Sequence, residues 1–284
     1  MYRGGTDAGG VAGLETLLRS RLMTAAVAVP ALLWVIFWAP IWVLNALILV
    51  LTYVALQEFA GMALKGVPAG TTMVTTGGMI IALTMGFTQT GVAISAGLVV
   101  CLSGVLIATL ATAEDMERSV NHAAQILLGC LYGGLLLPHF IWVRAIPDIG
   151  PDLVCLVVGT AMAGDAAGYF GGSAWGKRKL LPRVSPNKTI EGSMSSLVVA
   201  LMVAVLLNGL VLRVFSTPEV LLVALVINVL GQVGDLLESM LKRAYAAKDS
   251  GWIFPGHGGV LDRTDSLVLP IVFIYYYAIL TVGR

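Results

Sequence analysis

The chain has 284 residues, 58% of them hydrophobic and only 12% charged, with a formal net charge of +1 and a mean hydropathy of +0.91. Soluble domains run near 45–50% apolar and about 25% charged, so this composition excludes a globular domain with at most one anchor and points to an integral membrane protein with many spans. The small net charge says little about partners; the placement of charge carries the information.

The first 21 residues are Gly-rich, with Arg19 and Arg21 just ahead of the first apolar run. No small-residue cleavage site follows a short apolar core, so a retained first span is expected rather than a removed signal peptide. Runs near the 20 or so apolar residues that a bilayer core requires fall at 22–39, 41–64, 71–88, 90–112, 124–144, 153–175, 195–215, 220–241 and 266–282. The expected fold class is an all-α integral membrane protein of about nine transmembrane helices. Its expected parts are a cytoplasmic segment (1–21), about five N-terminal spans (22–152) and a catalytic region of about four spans (153–284). Cys101, Cys130 and Cys155 all fall in apolar stretches without metal-ligand spacing and read as packing residues. His122 and His139 have no constellation around them and read as interfacial or packing residues.

Nine spans put the termini on opposite sides. With the N-terminus cytoplasmic, fourteen Lys and Arg fall inside and only Arg144, Arg213 and Arg284 outside, a strong positive-inside asymmetry. The same parity places two polar islands, 176–192 and 242–265, on the cytoplasmic face, where they can share one site.

The first island begins inside a span with Asp165, which is spaced to take a hydrogen bond from Tyr169 one turn on. A loop with five basic residues between Lys177 and Lys188 follows, containing Ser185, Lys188 and Thr189 and leading to Glu191 and Gly192. Positive charge there sets topology, but Lys188 and Thr189 are also good donors to a triphosphate. Thr189 to Gly192 can cap the next helix and aim its N-terminus at an anion. The second island is prepared by a span in which Asp235, Glu238, Ser239 and Lys242 share one helical face. The bland reading is an Asp235–Lys242 or Glu238–Lys242 pair that trims the helix end. The functional reading is a carboxylate held in a wet cavity for a cation or phosphate, since an acid within a span is costly. Nine charged residues, a histidine and four glycines then lie between Asp235 and Asp265. The turn around His257, Gly258 and Gly259 lets backbone N–H groups approach an anion. Asp262 and Asp265 are spaced to hold a divalent cation, and Arg263 offers a fork of donors to phosphate. His257 reads as a base, a phosphate contact or a turn residue. Glu58, at the end of the second span, reads as helix-end or interhelical structure.

The run Ser239, Leu241, Lys242, Arg243, Lys248, Asp249, Gly251, Phe254, Pro255, His257, Gly258, Gly259, Val260, Asp262, Arg263, Thr264 and Asp265, at these spacings, resembles the full signature of the phosphatidate cytidylyltransferases (CDP-diacylglycerol synthases). Asp165 to Glu191 resembles the second motif region of that family. Together the motif-bearing resemblance covers about residues 160–284; the N-terminal half fits in hydropathy only. One departure is Ser195 and Ser196, where members often carry a Gly-Gly pair, which puts close helix packing there in doubt.

The resemblance implies transfer of CMP from CTP to phosphatidate, giving CDP-diacylglycerol and pyrophosphate for phospholipid biosynthesis. It implies Mg²⁺, with a monovalent cation such as K⁺ possible as a second ion. It also implies a homodimer. A plasma membrane is expected from compactness alone, with membrane lipid in contact and no nucleic acid partner. Asp235 and Asp262 are expected to ligate the metal, with Asp249 as a further candidate. Lys242, Arg263, His257 and Asp265 are the expected catalytic groups. Lys188, Thr189, Ser185, Arg243, Lys248, Asp165 and Tyr169 are expected to bind substrate. The rival readings are a cation transporter and a lipid kinase or other CTP-dependent lipid enzyme. Transport acids would cluster near the midplane with repeats, whereas these charges crowd one face; product analysis separates the kinase.

Overall fold

The computed structural model describes residues 29–67, 69–88, 90–251 and 258–281. Helix α1 is described over residues 29–37. It is followed by α2 (Ile41–Ala63), α3 (Gly70–Phe87), α4 (Gly91–Thr112) and α5 (Met116–Leu131). A π-helical turn, Tyr132–Leu136, joins α5 to α6 (His139–Arg144). Then come α7 (Gly150–Trp175), a hairpin of β1 (Lys179–Leu181) and β2 (Ser185–Thr189), α8 (Ile190–Leu207), α9 (Thr217–Ala244) and α10 (Leu261–Thr281). Among the described residues, eight helical stretches are long and apolar enough to cross a membrane. The chain is a mostly helical, multi-pass membrane protein. The first expected span, 22–39, lies partly outside the described residues.

The structure departs from the sequence reading in three places. The polar loop between α7 and α8 holds a short antiparallel hairpin, in which Lys179 pairs with Thr189 and Leu181 with Ser185; the fold is otherwise helical. Backbone groups leaving the end of α7 are satisfied locally by that pairing. Helix α10 begins at Leu261 rather than near 266, so Asp262, Arg263 and Asp265 lie in its first turns. The stretch expected at 124–144 starts at Met116, because Asp115 caps α5 by accepting from the Arg118 N–H at 3.1 Å.

Close helix packing is carried by small residues, as expected where apolar side chains gain little by leaving lipid for protein. The serines at 195 and 196 do not prevent it. Gly164 and Gly171 of α7 face Ser196 and Ser195 of α8, and a Cβ on Gly192 would stand 3.0 Å from the Gly172 Cα. The glycines that face these two serines are thus on the partner helix. Likewise α9 passes α10 at Gly231 and Gly234, against the carbonyls of Ser266 and Asp265. Pro270, inside α10, lacks the N–H that would bond the Ser266 carbonyl.

The π-helical turn lies where α5 crosses α3, and a Cβ on Gly134 would sit 2.6 Å from the Gly78 Cα. Backbone cannot yield there as a side-chain tip can. Gly134→Ala is expected to lower stability by about 1–3 kcal/mol, read by thermal unfolding in detergent. Gly209→Ala, whose Cβ would meet nothing within 4 Å, is the matched control. Equal melting points for the two variants would contradict this account. The three cysteines are buried and free, as packing residues should be.

Candidate functional site

The two polar islands meet in space. Strand β2 ends at Thr189, whose hydroxyl accepts the Gly192 N–H at 3.1 Å and caps α8. Glu191 turns back to the start of the hairpin, accepting the N–H groups of Lys177 (3.0 Å) and Arg178 (3.1 Å). This fixes β2 so that Lys188 reaches α9 and ion-pairs with Asp235. Two turns further along α9, Lys242 lies between two acids, 2.5 Å from Glu238 and 2.7 Å from Asp262. Of the pairs considered from sequence, Glu238–Lys242 is present, while Asp235 takes its lysine from the other island.

Asp262 is the most heavily bonded carboxylate of the site. Its Oδ2 accepts from the Ser250 N–H (2.9 Å), the Ser250 hydroxyl (2.8 Å) and the Gly259 N–H (2.8 Å), while Oδ1 faces Lys242. Gly258 has φ +78°, and a Cβ there would fall 2.6 Å from Asp262 Oδ2, so this position needs glycine on both counts. The anions that these backbone groups meet are the protein's own. Gly259 serves Asp262, and the next two N–H groups, of Val260 and Leu261, serve Glu58 at 2.9 and 3.0 Å.

Asp165 accepts from Ser266 of α10 at 2.7 Å, not from Tyr169. Tyr169 is 71% exposed, and its ring packs on Phe170 with centroids 5.4 Å apart. Asp265 accepts the N–H of its neighbour Ser266. A polar ladder continues toward the middle of the bundle. Ser193 bonds Gln232, Gln232 donates to Asn228 (2.7 Å), and Asn228 donates to Ser196 (2.8 Å).

These groups surround a cavity of about 700 Å³, lined by Asp165, Tyr169, Lys179, Lys188, Thr189, Gln232, Asp235, Lys242, Asp262 and Asp265 among others. A second cavity of about 450 Å³ is walled mainly by apolar side chains of α1, α2, α6 and α7, including Leu32, Leu47, Leu51, Phe140, Val158 and Met162. The two cavities share Asp165, Asp262 and Asp265. Arg263, which is exposed, borders the apolar one.

Of the residues singled out from sequence, Lys242, Asp265, Lys188, Thr189, Asp165, Tyr169, Asp235 and Asp262 converge on the polar cavity. Ser185 lies in the hairpin, and Arg243, Lys248 and Asp249 are exposed; none of the four lines either cavity. His257 lies outside the described residues. Ser250, Ser266, Ser193 and Asn228 escaped the sequence reading, because single serines and amides carry no pattern until their partners are known. Glu58 was legible only as an acid ending a span. Among the described residues, no three acidic, cysteine or histidine side chains converge closely enough to hold a metal ion by themselves.

A family model described as the cytidylyltransferase family matches residues 19–281. Among curated proteins, the chain is similar to one named phosphatidate cytidylyltransferase from Bacillus subtilis (strain 168), 40% identical over 151 residues, which cover 53% of this chain and 56% of that protein. It is 36% identical over 184 residues to a protein of Escherichia coli (strain K12) named uncharacterized protein YnbB, covering 62% of this chain and 61% of that one. A phosphatidate cytidylyltransferase of Staphylococcus haemolyticus (strain JCSC1435) is 38% identical over 158 residues, covering 55% and 60%. The aligned stretch spans 56–61% of the length of these relatives.

Proposed function

The chain belongs to the cytidylyltransferase family, and from that premise we propose that it transfers CMP from CTP to phosphatidate. A phosphate oxygen of phosphatidate attacks the α-phosphorus of CTP, the bond to the β-phosphate breaks, and CDP-diacylglycerol and pyrophosphate form. The observation that carries this reading is the junction of a polar cavity with an apolar one at Asp165, Asp262 and Asp265. A lipid phosphate has that divided shape: its tails fit among Leu47, Val158 and Met162, and its head enters the charged chamber beside the triphosphate.

The nucleophile is already an anion, so no strong base is required. The barrier lies in bringing two anions together and in the charge of the leaving group, which cations and positioning address. Lys188 and Lys242 supply fixed positive charge at the polar cavity. Thr189 and the N-terminus of α8 add donors and a favourable dipole. Mg²⁺ is bound in proteins through one or two carboxylates, with substrate phosphates and waters completing the shell. Asp235 and Asp262, on facing helices at one cavity, fit that donor set, with Asp265 beside them and Asp249 outside. The ion would neutralise phosphate oxygens and ease departure of pyrophosphate; a monovalent second ion, a homodimer and placement of the site on the cytoplasmic face of a plasma membrane complete the proposal.

The test is incorporation of labelled CMP from CTP into phosphatidate by the purified protein in mixed micelles, with pyrophosphate measured alongside. Asp235→Asn is expected to lower the rate by about 100-fold or more. Release of CDP with a new phosphate monoester would identify a kinase instead. Normal activity in folded Asp235→Asn would remove that carboxylate from the metal role.

A further inference from the structure

Glu58 belongs to α2, about 180 residues before the start of the signature in sequence, and it lines neither cavity. Its carboxylate is nevertheless buried against the site's supporting loop. Oε1 accepts the Val260 N–H (2.9 Å), while Oε2 accepts the Leu261 N–H (3.0 Å) and meets the Ser250 hydroxyl (3.1 Å). The same hydroxyl is 2.8 Å from Asp262 Oδ2. Two signature glycines are shaped around this acid. A Cβ on Gly251 would lie 2.6 Å from the Glu58 Cδ, and one on Gly259 would lie 2.5 Å from it.

We infer that Glu58 is a positioning residue, an acid from the N-terminal half that caps α10 and sets Asp262 through Ser250. A helix N-terminus with free N–H groups attracts an anion. Here that place is filled by a fixed side chain, which leaves the phosphates to the lysines of the polar cavity. A carboxylate accepts the two N–H groups one on each oxygen, and the single Ser250 hydroxyl proton lies between it and Asp262. An amide in its place has one acceptor oxygen and must turn its NH₂ toward one of the two N–H groups. Asp262 then loses its register, and with it Lys242, whose ammonium is held at 2.7 Å. The chain thus connects Glu58 to the charge that faces the nucleotide, without any contact between Glu58 and substrate.

This inference rests on the proposed CTP reaction, but its test does not depend on that reaction alone. In Glu58→Gln, the KM for CTP is expected to rise about tenfold and kcat/KM to fall about 100-fold, the scale that small misplacements of reacting groups produce. Direct CTP binding should weaken in parallel, and amide exchange at Val260 and Leu261 should accelerate. Ser250→Ala should show the same direction with a smaller loss. The double variant should be no worse than Glu58→Gln, because both act on one path. A merely structural loss would reduce the active fraction and leave KM unmoved, and that result would overturn the inference. So would losses that multiply in the double variant. If Glu58→Gln does not fold, Ser250→Ala decides: normal KM and CTP binding there would refute the path. A wild-type protein that binds CTP yet makes no CDP-lipid would sink the proposed reaction while leaving the binding and exchange results to judge Glu58.

Discussion

Asp262→Asn is expected to reduce CMP transfer roughly a thousandfold while leaving the protein folded. The N–H groups of Ser250 and Gly259 at Oδ2, with the Ser250 hydroxyl that it shares with Glu58, require an acceptor, so the asparagine must put its amide oxygen there. Its NH₂ then points at Lys242, a donor facing a donor. The loop keeps its bonds, which preserves the fold. The lysine loses one of its two acidic partners and the cavity loses a carboxylate, which removes charge and geometry together. Labelled CMP transfer, with circular dichroism and a melting curve as fold controls, reads the result. Activity within tenfold of wild type would take Asp262 out of the chemistry.

Lys242→Met should show its largest effect on stability. The Glu238 side chain is 1% exposed, and neither of its oxygens has a hydrogen-bond partner apart from the Lys242 ammonium at 2.5 Å. Methionine keeps the length and apolar stem of lysine but strands the buried acid. Removing one member of a buried pair costs about 3–5 kcal/mol, because the remaining charge is left without compensation. Glu238→Gln/Lys242→Met, which removes both charges, should recover much of that loss without recovering activity. For scale, Arg118→Met breaks an exposed pair of 3.9 Å, and exposed pairs contribute about 0–1 kcal/mol. Thermal unfolding of the four proteins in one detergent tests the ordering. Lys242→Met melting with the wild type would show that Glu238 is not a buried charge.

Much of the site was legible because the membrane makes charge expensive. Asp165 and Asp235 stood out against apolar runs and Lys188 within a basic loop between two of them, and the structure brings all three to one cavity. Thr189 was recognisable as a cap because capping depends on only three neighbouring residues. The reading failed where a partner lay far off in sequence. Tyr169 was one helical turn from Asp165, yet Ser266, 101 residues away, takes the bond. The glycines of the signature were read as a cradle for a substrate anion, but the anions that Gly259, Val260 and Leu261 meet are Asp262 and Glu58. The doubt about packing at Ser195 and Ser196 looked at one helix, whereas close approach depends on the sum of two surfaces, and α7 supplies the glycines.

By itself, the sequence determined what local composition and spacing can determine. It set the apolar runs, the bias of basic residues between them, the caps, and the one-face alignment of Asp235, Glu238 and Lys242 on a helix. These follow from the cost of charge in hydrocarbon and from the 3.6-residue period. Only the tertiary structure decided which lysine neutralises which acid, and that Asp262 is tied through Ser250 to an acid in α2. It also decided that an apolar cavity and the charged one share Asp165, Asp262 and Asp265 in their walls. Ion pairs, caps of this distant kind and cavities are set by how helices approach one another, and that approach is fixed by glycines and serines whose partners no local pattern names.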